Sequence, residues 1–373
     1  MVRRVTVVLG LAALMATSAQ AQRGSWQGEI GIQGGFSRVK PSGTGAHDQI
    51  DLFDVPGFSL APLVPSYGAL FAIIPWKDKI AIEPTLSFSQ LSSGGTFTLA
   101  ALGLRADYAL TPKVYAAVGG TLGYVETSGQ HESQLGVQAA LGYRLRLTSG
   151  INGRVEANWQ STKKSNLVNP FNVYSVLFGM SARHSGAAAP RAARSASAWD
   201  RVIGMQGGYS RVHLVGGGAD ITVLTFPGWG SGLAASPIGA VVAVAPTLYA
   251  IFPAGQKLAI EPGLDFHRSQ AQGTTIFSAN VSARLDYAVS GGWYGAVGGN
   301  LLYTKATPGF FADPAKSSVS VPGVNVAWGY RFHLAGALGG RVEANYVILK
   351  QSADLSQATN TFGLMFGASM PLR

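Results

Sequence analysis

The chain has 373 residues, of which 47% are hydrophobic and only 12% charged, with 49 glycines, no cysteine and a formal net charge of +10. Soluble domains carry about a quarter charged residues, so this surface has little to offer water. Disulfide and thiolate chemistry are excluded by composition. The positive balance does not indicate nucleic acid, because no compact Lys/Arg cluster is interleaved with aromatics.

Arg3 and Arg4, the apolar run from Val5 to Ala16, and Ala19-Gln20-Ala21 follow the layout of a secretory signal. Residues 1–21 are therefore expected to be removed after Ala21. No later stretch reads as a spanning helix. The best candidate, Leu233 to Phe252, is broken by Pro237 and Pro246.

The pattern that does recur is alternation. In Ile151-Asn152-Gly153-Arg154-Val155-Glu156-Ala157-Asn158-Trp159-Gln160, apolar and small residues fall on one face and polar ones on the other. A β-strand sends successive side chains to opposite sides in this way. Gly-Arg-Val-Glu-Ala-Asn returns at Gly340 to Asn345. Other segments return in the same order: Gln33-Gly34-Gly35 as Gln206-Gly207-Gly208, and Lys79 to Pro84 as Lys257 to Pro262. Arg105 to Ala109 returns as Arg284 to Ala288, Tyr115 to Gly120 as Tyr294 to Gly299, and Gly142-Tyr143-Arg144 as Gly329-Tyr330-Arg331. The chain is a tandem duplication.

In the first half, eight strands are expected at about 28–38, 67–75, 79–90, 96–109, 114–125, 134–147, 151–161 and 173–183, near the length a tilted strand needs to cross a bilayer. Tight turns at 76–78, 111–112 and 148–150 alternate with longer connections at 40–66, 91–95, 126–133 and 162–172. Short turns on one side and longer loops on the other fit a transmembrane antiparallel barrel. Pro84 and Pro262 fall inside strands and are expected to mark bulges.

With its leader, its eight-strand repeat unit and its loop asymmetry, the chain resembles the small OmpA/OmpX-like outer-membrane β-barrel domain, present twice. The resemblance covers nearly the whole chain after the leader and implies an all-β fold of two tandem eight-stranded barrels. One sixteen-stranded porin-like barrel is the alternative. The expected organisation is a first repeat over 26–183, an Ala/Pro/Arg-rich periplasmic linker over 184–198, and a second repeat over 199–373. The implied location is the outer membrane of a diderm bacterium, with outer-membrane lipid and the barrel-assembly machinery as partners. The family's usual terminal aromatic gives way here to Met370-Pro371-Leu372-Arg373, and a wall-anchoring role is not expected to carry over.

A charge facing lipid near the midplane costs about 2–4 kcal/mol for Arg. The charged strand residues should therefore face inward as a lumenal network: Glu83, Arg105, Asp107, Arg144, Arg146, Arg154 and Glu156, with Glu261, Arg284, Asp286, Arg331, His333, Arg341 and Glu343 in the second half. Enclosed charges need partners, so ion pairs that fill the barrel are expected; a polar path for solutes is the alternative. Trp26, Trp76, Trp159, Trp293 and Tyr346 are expected in interfacial girdles. The apolar first long loop of each half offers Pro56, Phe58, Pro227 and Trp229 as a surface contact.

The histidines occupy no matching positions in the two halves and no nucleophile or metal motif. No catalytic, cofactor or metal site is expected. A non-enzymatic envelope or surface-contact role is favoured over a diffusion porin, and a lipid-modifying enzyme built on His267 or His333 is third.

Overall fold

The computed structural model describes residues 25–42, 49–55, 70–92, 95–127, 130–147, 151–164, 170–183, 197–215, 220–226, 248–271, 274–307, 318–335, 338–349 and 358–372. The leader, most of the linker, and the loop tips carrying Pro56, Phe58, Pro227 and Trp229 lie outside these residues.

The described residues form eighteen strands. The first half contributes β1 (Glu29–Pro41), β2 (Ile50–Val55), β3 (Leu70–Lys77), β4 (Ile80–Ser92), β5 (Thr96–Ala109), β6 (Val114–Thr127), β7 (Gln130–Arg146), β8 (Ile151–Thr162) and β9 (Phe171–Arg183). The second contributes β10 (Val202–Leu214), β11 (Ile221–Phe226), β12 (Leu248–Pro253), β13 (Leu258–Ala271), β14 (Thr274–Ser290), β15 (Trp293–Thr307), β16 (Ser318–Ala335), β17 (Leu338–Leu349) and β18 (Thr359–Pro371). All pairings are antiparallel. In each half the last strand closes on the first, with Ile32 opposite Met180 in β1–β9 and Met205 opposite Ala368 in β10–β18.

Two of these strands stand where the sequence predicts loop. Ile50–Val55 and Ile221–Phe226 are only six residues long, and they change what the halves do together. Each half closes separately at the short-turn end, where β3 bridges β1 and β4, and β12 bridges β10 and β13. At the opposite end β2 pairs with β1 on one side and with β13 of the other half on the other. Symmetrically, β11 pairs with β10 and with β4. Following neighbours around this end gives sixteen strands in one ring. Two eight-stranded barrels at one end thus share a wide mouth at the other, and each of the two architectures expected from sequence describes one end.

The repeated prolines mark the place where partners change. Register is unshifted through Pro84, which lies opposite Leu104, and through Pro262, opposite Ala283, so the expected bulges are absent. Instead the pairings of β4 with β3 jump from Ile82 to Thr85, and those of β13 with β12 from Ile260 to Gly263. Proline has no N–H to give a ladder, and the gap faces the short bridging strand. A few residues further on, at Phe88 and Phe266, pairing passes to the other half. On β1 and β10 the corresponding changeover falls at the Gln-Gly-Gly motif. A Cβ on Gly35 would sit 2.2 Å from the Val176 carbonyl oxygen, and one on Gly208 2.2 Å from that of Leu364.

The apolar run in β3 also finds its reason here. Phe71, Ala72 and Ile73 are buried in succession, covering both faces. Phe71 and Ile73 pack with Trp26 and Tyr115 in the interior of the first half, and Ala72 is buried on the opposite face. Below the shared mouth the outer walls touch: Ile151 and Ala182 of the first half join Leu338 and Met370 of the second in one buried cluster. Elsewhere the outward positions form an exposed apolar band, from Val118 at 66% and Leu135 to Val297 and Phe366.

The loop asymmetry is weaker than the sequence suggests. Thr127 pairs with Gln130, so the connection expected over 126–133 shrinks to two residues.

Candidate functional site

Alternation dictates what enters each lumen. Along β8, Arg154, Glu156, Asn158 and Gln160 are buried, whereas Ala157 and Trp159 are exposed. The same phase in β4 and β5 turns Glu83, Arg105 and Asp107 inward. These five charged groups meet across the first barrel. The Arg105 guanidinium donates to both oxygens of Glu156, at 2.8 and 2.5 Å, and pairs with Glu83 at 2.9 Å and with Asp107 at 3.1 Å. Arg154 pairs with Glu83 at 2.6 Å, donates to Gln33, and stacks 3.5 Å from the centre of the Phe71 ring. Tyr115 donates its hydroxyl to Glu156 at 2.7 Å.

The second barrel repeats this arrangement. Arg284 pairs with Glu343, Glu261 and Asp286 at 2.5, 2.9 and 3.1 Å. Arg341 pairs with Glu261 at 2.6 Å, donates to Gln206, and stacks 3.4 Å from the Tyr249 ring centre. Tyr294 donates to Glu343 at 2.7 Å. None of these charged side chains is more than 5% exposed. Each cluster holds two guanidiniums and three carboxylates. Bidentate Arg–carboxylate geometry makes such pairs both strong and directional. A lumen crossed at this level by interlocked side chains is a plug.

Ten of the fourteen expected network residues are therefore brought together, five in each barrel. The other four are a correction. Arg144 and Arg331 lie at the short-turn mouths, where they donate to the backbone carbonyls of Ser25 and Ala198 at 2.8 and 3.2 Å. Arg146 and His333 are exposed beyond them. Near water a charge needs no buried counter-ion, so these positions escape the rule that draws the central groups together.

Trp26 is a second correction. Trp76 (63% exposed), Trp159, Trp293 and Tyr346 face outward, as girdle positions should. Trp26 is instead buried, donates its indole N–H to the Lys79 carbonyl, packs edge-on against Tyr115, and carries the Arg144 guanidinium 4.0 Å from its ring centre. Trp199 does the same in the second barrel, bonded to the Lys257 carbonyl and stacked under Arg331. Each lumen thus has a Trp–Arg cap below the ion pairs.

Gln33, Gln206, Phe71, Tyr249, Tyr115, Tyr294 and Trp199 are parts of the plug that charge and alternation do not single out. Four of them stood inside repeated motifs, and repetition was the usable signal. Among the described residues, no group of three or more His, Asp and Glu side chains is placed to hold a metal ion.

No protein-family model and no curated protein matches the sequence. Solved structures do align with the chain. The CymD monoaromatic hydrocarbon channel is 10% identical over 95% of this chain and 90% of its own, with a TM-score of 0.29. Outer membrane protein OprD from Pseudomonas aeruginosa is 10% identical over 95% and 97%, with a TM-score of 0.26. Ail, the attachment invasion locus protein of Yersinia pestis, is 16% identical over 42% of this chain and 99% of its own, with a TM-score of 0.26.

Proposed function

We propose that this chain is an outer-membrane protein of a diderm bacterium, built from two strand-exchanged barrels of OmpA/OmpX type that share one outward mouth. It acts without catalysis, as an envelope or surface-contact protein, and does not conduct solutes. The observation that carries this reading is the pair of plugs, Glu83–Arg105–Glu156 with Arg154 and Glu261–Arg284–Glu343 with Arg341, enclosed in barrels of only eight strands. Eight strands leave an interior that side chains can fill. The exposed apolar band supports the membrane location, since a patch of that extent would aggregate in water. Outer-membrane lipid then covers the band, and the cell's barrel-assembly machinery inserts the chain. Short turns face the periplasm, as is usual for such barrels.

Planar-bilayer recording tests the plug. The folded protein is expected to give a silent bilayer, and Arg105→Ala combined with Arg284→Ala to give small, flickering conductance. Steady nanosiemens steps from the unaltered protein would mean a diffusion pore and overturn the reading.

A further inference from the structure

At the short-turn mouth of the first barrel, beyond the Trp26–Arg144 cap, lies a cavity of about 170 Å³. Its wall brings together Lys113, Arg144, Arg146 and Arg183, with Glu29 and Asn152 as the principal polar neighbours. Among the described residues, four cations here face one carboxylate, and that carboxylate is already engaged. Glu29 accepts from Asn152 at 2.6 Å and from Ser181 at 2.5 Å. Among the described residues, Arg183 makes one long contact, to the Asn152 side-chain oxygen at 3.3 Å. The Nε atoms of both Arg144 and Arg183 are shielded and have no hydrogen-bond partner among the described residues.

This arrangement belongs to one repeat alone. By strand register, the counterparts of Lys113, Arg146, Asn152, Arg183 and Glu29 are Gly292, His333, Gly339, Pro371 and Val202. Only Arg144 has a matching arginine, Arg331, and it is the one committed to the cap. The plugs above need no such cluster, because the second barrel closes without it. Like charges converging on one cavity repel each other, and an anion entering it relieves that repulsion.

We propose that this cavity is a binding site for a phosphate group. Guanidiniums recognise phosphate oxygens through paired N–H donors, and the excess of about three positive charges exceeds what a single carboxylate would neutralise. A phosphate monoester, at about −1.5 to −2 at neutral pH, matches it better. A free phosphate compound and a phospholipid headgroup offer the same chemistry. The binding rests on the cavity; only its assignment to the periplasmic side rests on the membrane reading.

The test is calorimetric titration of the full-length protein folded in zwitterionic detergent at low salt, with inorganic phosphate in one arm and short-chain phosphatidylglycerol in the other. At least one probe should bind at millimolar or lower concentration. Arg146→Gln with Arg183→Gln should weaken that binding about tenfold or more, while His333→Gln, at the corresponding point of the other barrel, should leave it unchanged. Phosphate binding alone identifies a free ligand, and phosphatidylglycerol binding alone a headgroup. Should the double variant fail the gel-mobility test for folding, Lys113→Gln, in the exposed turn, takes its place with a loss of at least about threefold. Failure of both probes to bind, equal affinity in the variants, or an equal loss in His333→Gln overturns the proposal. None of these results bears on conductance, so the plug reading stands or falls separately.

Discussion

The plugs make a sharp statement about which carboxylate matters. Glu156 receives both Nη groups of Arg105, the Tyr115 hydroxyl at 2.7 Å and the Asn158 amide at 3.3 Å. Asp107 lies 3.1 Å from Arg105 Nε, yet neither of its oxygens accepts a hydrogen bond in the way those of Glu156 do. Glu156→Gln replaces one acceptor by an N–H₂ donor that must face a guanidinium. Breaking a buried ion pair from one side costs about 3–5 kcal/mol. Because Arg105 keeps Glu83, the low end is expected, about 3 kcal/mol. Asp107→Asn leaves two guanidiniums against two carboxylates and abolishes no hydrogen bond. It should change stability by no more than about 1 kcal/mol, in either direction. Urea unfolding from phospholipid vesicles, followed by tryptophan fluorescence, measures both, and Glu343→Gln and Asp286→Asn should rank the same way. Equal losses from Glu156→Gln and Asp107→Asn would refute the reasoning, because enclosure rather than hydrogen-bond number would then set the cost.

The remaining predictions concern the shared mouth. Phe53 faces Arg268 and Thr222 faces Ser92 across the seams between halves. Directly opposed antiparallel residues stand within disulfide reach, and the chain has no cysteine to interfere. Phe53→Cys with Arg268→Cys, and separately Thr222→Cys with Ser92→Cys, should therefore oxidise to a reducible gel shift; no shift would mean that the barrels are independent throughout. Gly35→Ala and Gly208→Ala should each cost about 1–3 kcal/mol in the same unfolding assay, because the added methyl meets a backbone oxygen of the neighbouring strand. Residues 22–183 expressed alone would present β2 and the upper part of β4 as open edges. Cross-linking should find dimers or larger aggregates, and a clean monomer in detergent would contradict the exchange.

Much of the fold could be read from the chain because lipid enforces strict alternation. Strand phase at Ile80 to Ser87 or Arg154 to Gln160 follows from the cost of a charge in hydrocarbon, and the structure keeps it. The central plug residues were legible for the same reason. The strand exchange was not. Ile50-Asp51-Leu52-Phe53-Asp54-Val55 alternates imperfectly and is too short to span a bilayer, so nothing local distinguishes it from an ordered loop. Its partner in the other half lies more than 200 residues away in sequence, beyond the reach of any periodicity. Trp26 was misplaced because a tryptophan near a strand end suits a lipid interface as well as a lumen. Only the N–H···O=C bond to Lys79 and the arginine above the ring decide between them.

The two copies have not diverged evenly, and the pattern follows from the topology. At the plug, where each barrel closes on itself, residues match one for one: Glu83 with Glu261, Arg105 with Arg284, Arg154 with Arg341 and Glu156 with Glu343. A substitution there would strand a buried charge in a lumen that has no other source of partners. Toward the shared mouth the copies part. Gly123, Glu132, Gln134, Gln160 and Thr162 of the first half correspond to Leu302, Val319, Val321, Val347 and Leu349 of the second. The second set forms a buried apolar cluster, whereas Gln134 and Gln160 donate to the Lys163 carbonyl and to Thr121. Two separate barrels would each need a complete interior of their own at this level. A common ring of sixteen strands removes that demand, because a polar wall on one side and an apolar wall on the other line one space. Strand exchange therefore explains the divergence: it turns two equivalent lumens into one asymmetric mouth, while the arrangements that must fold twice remain the same.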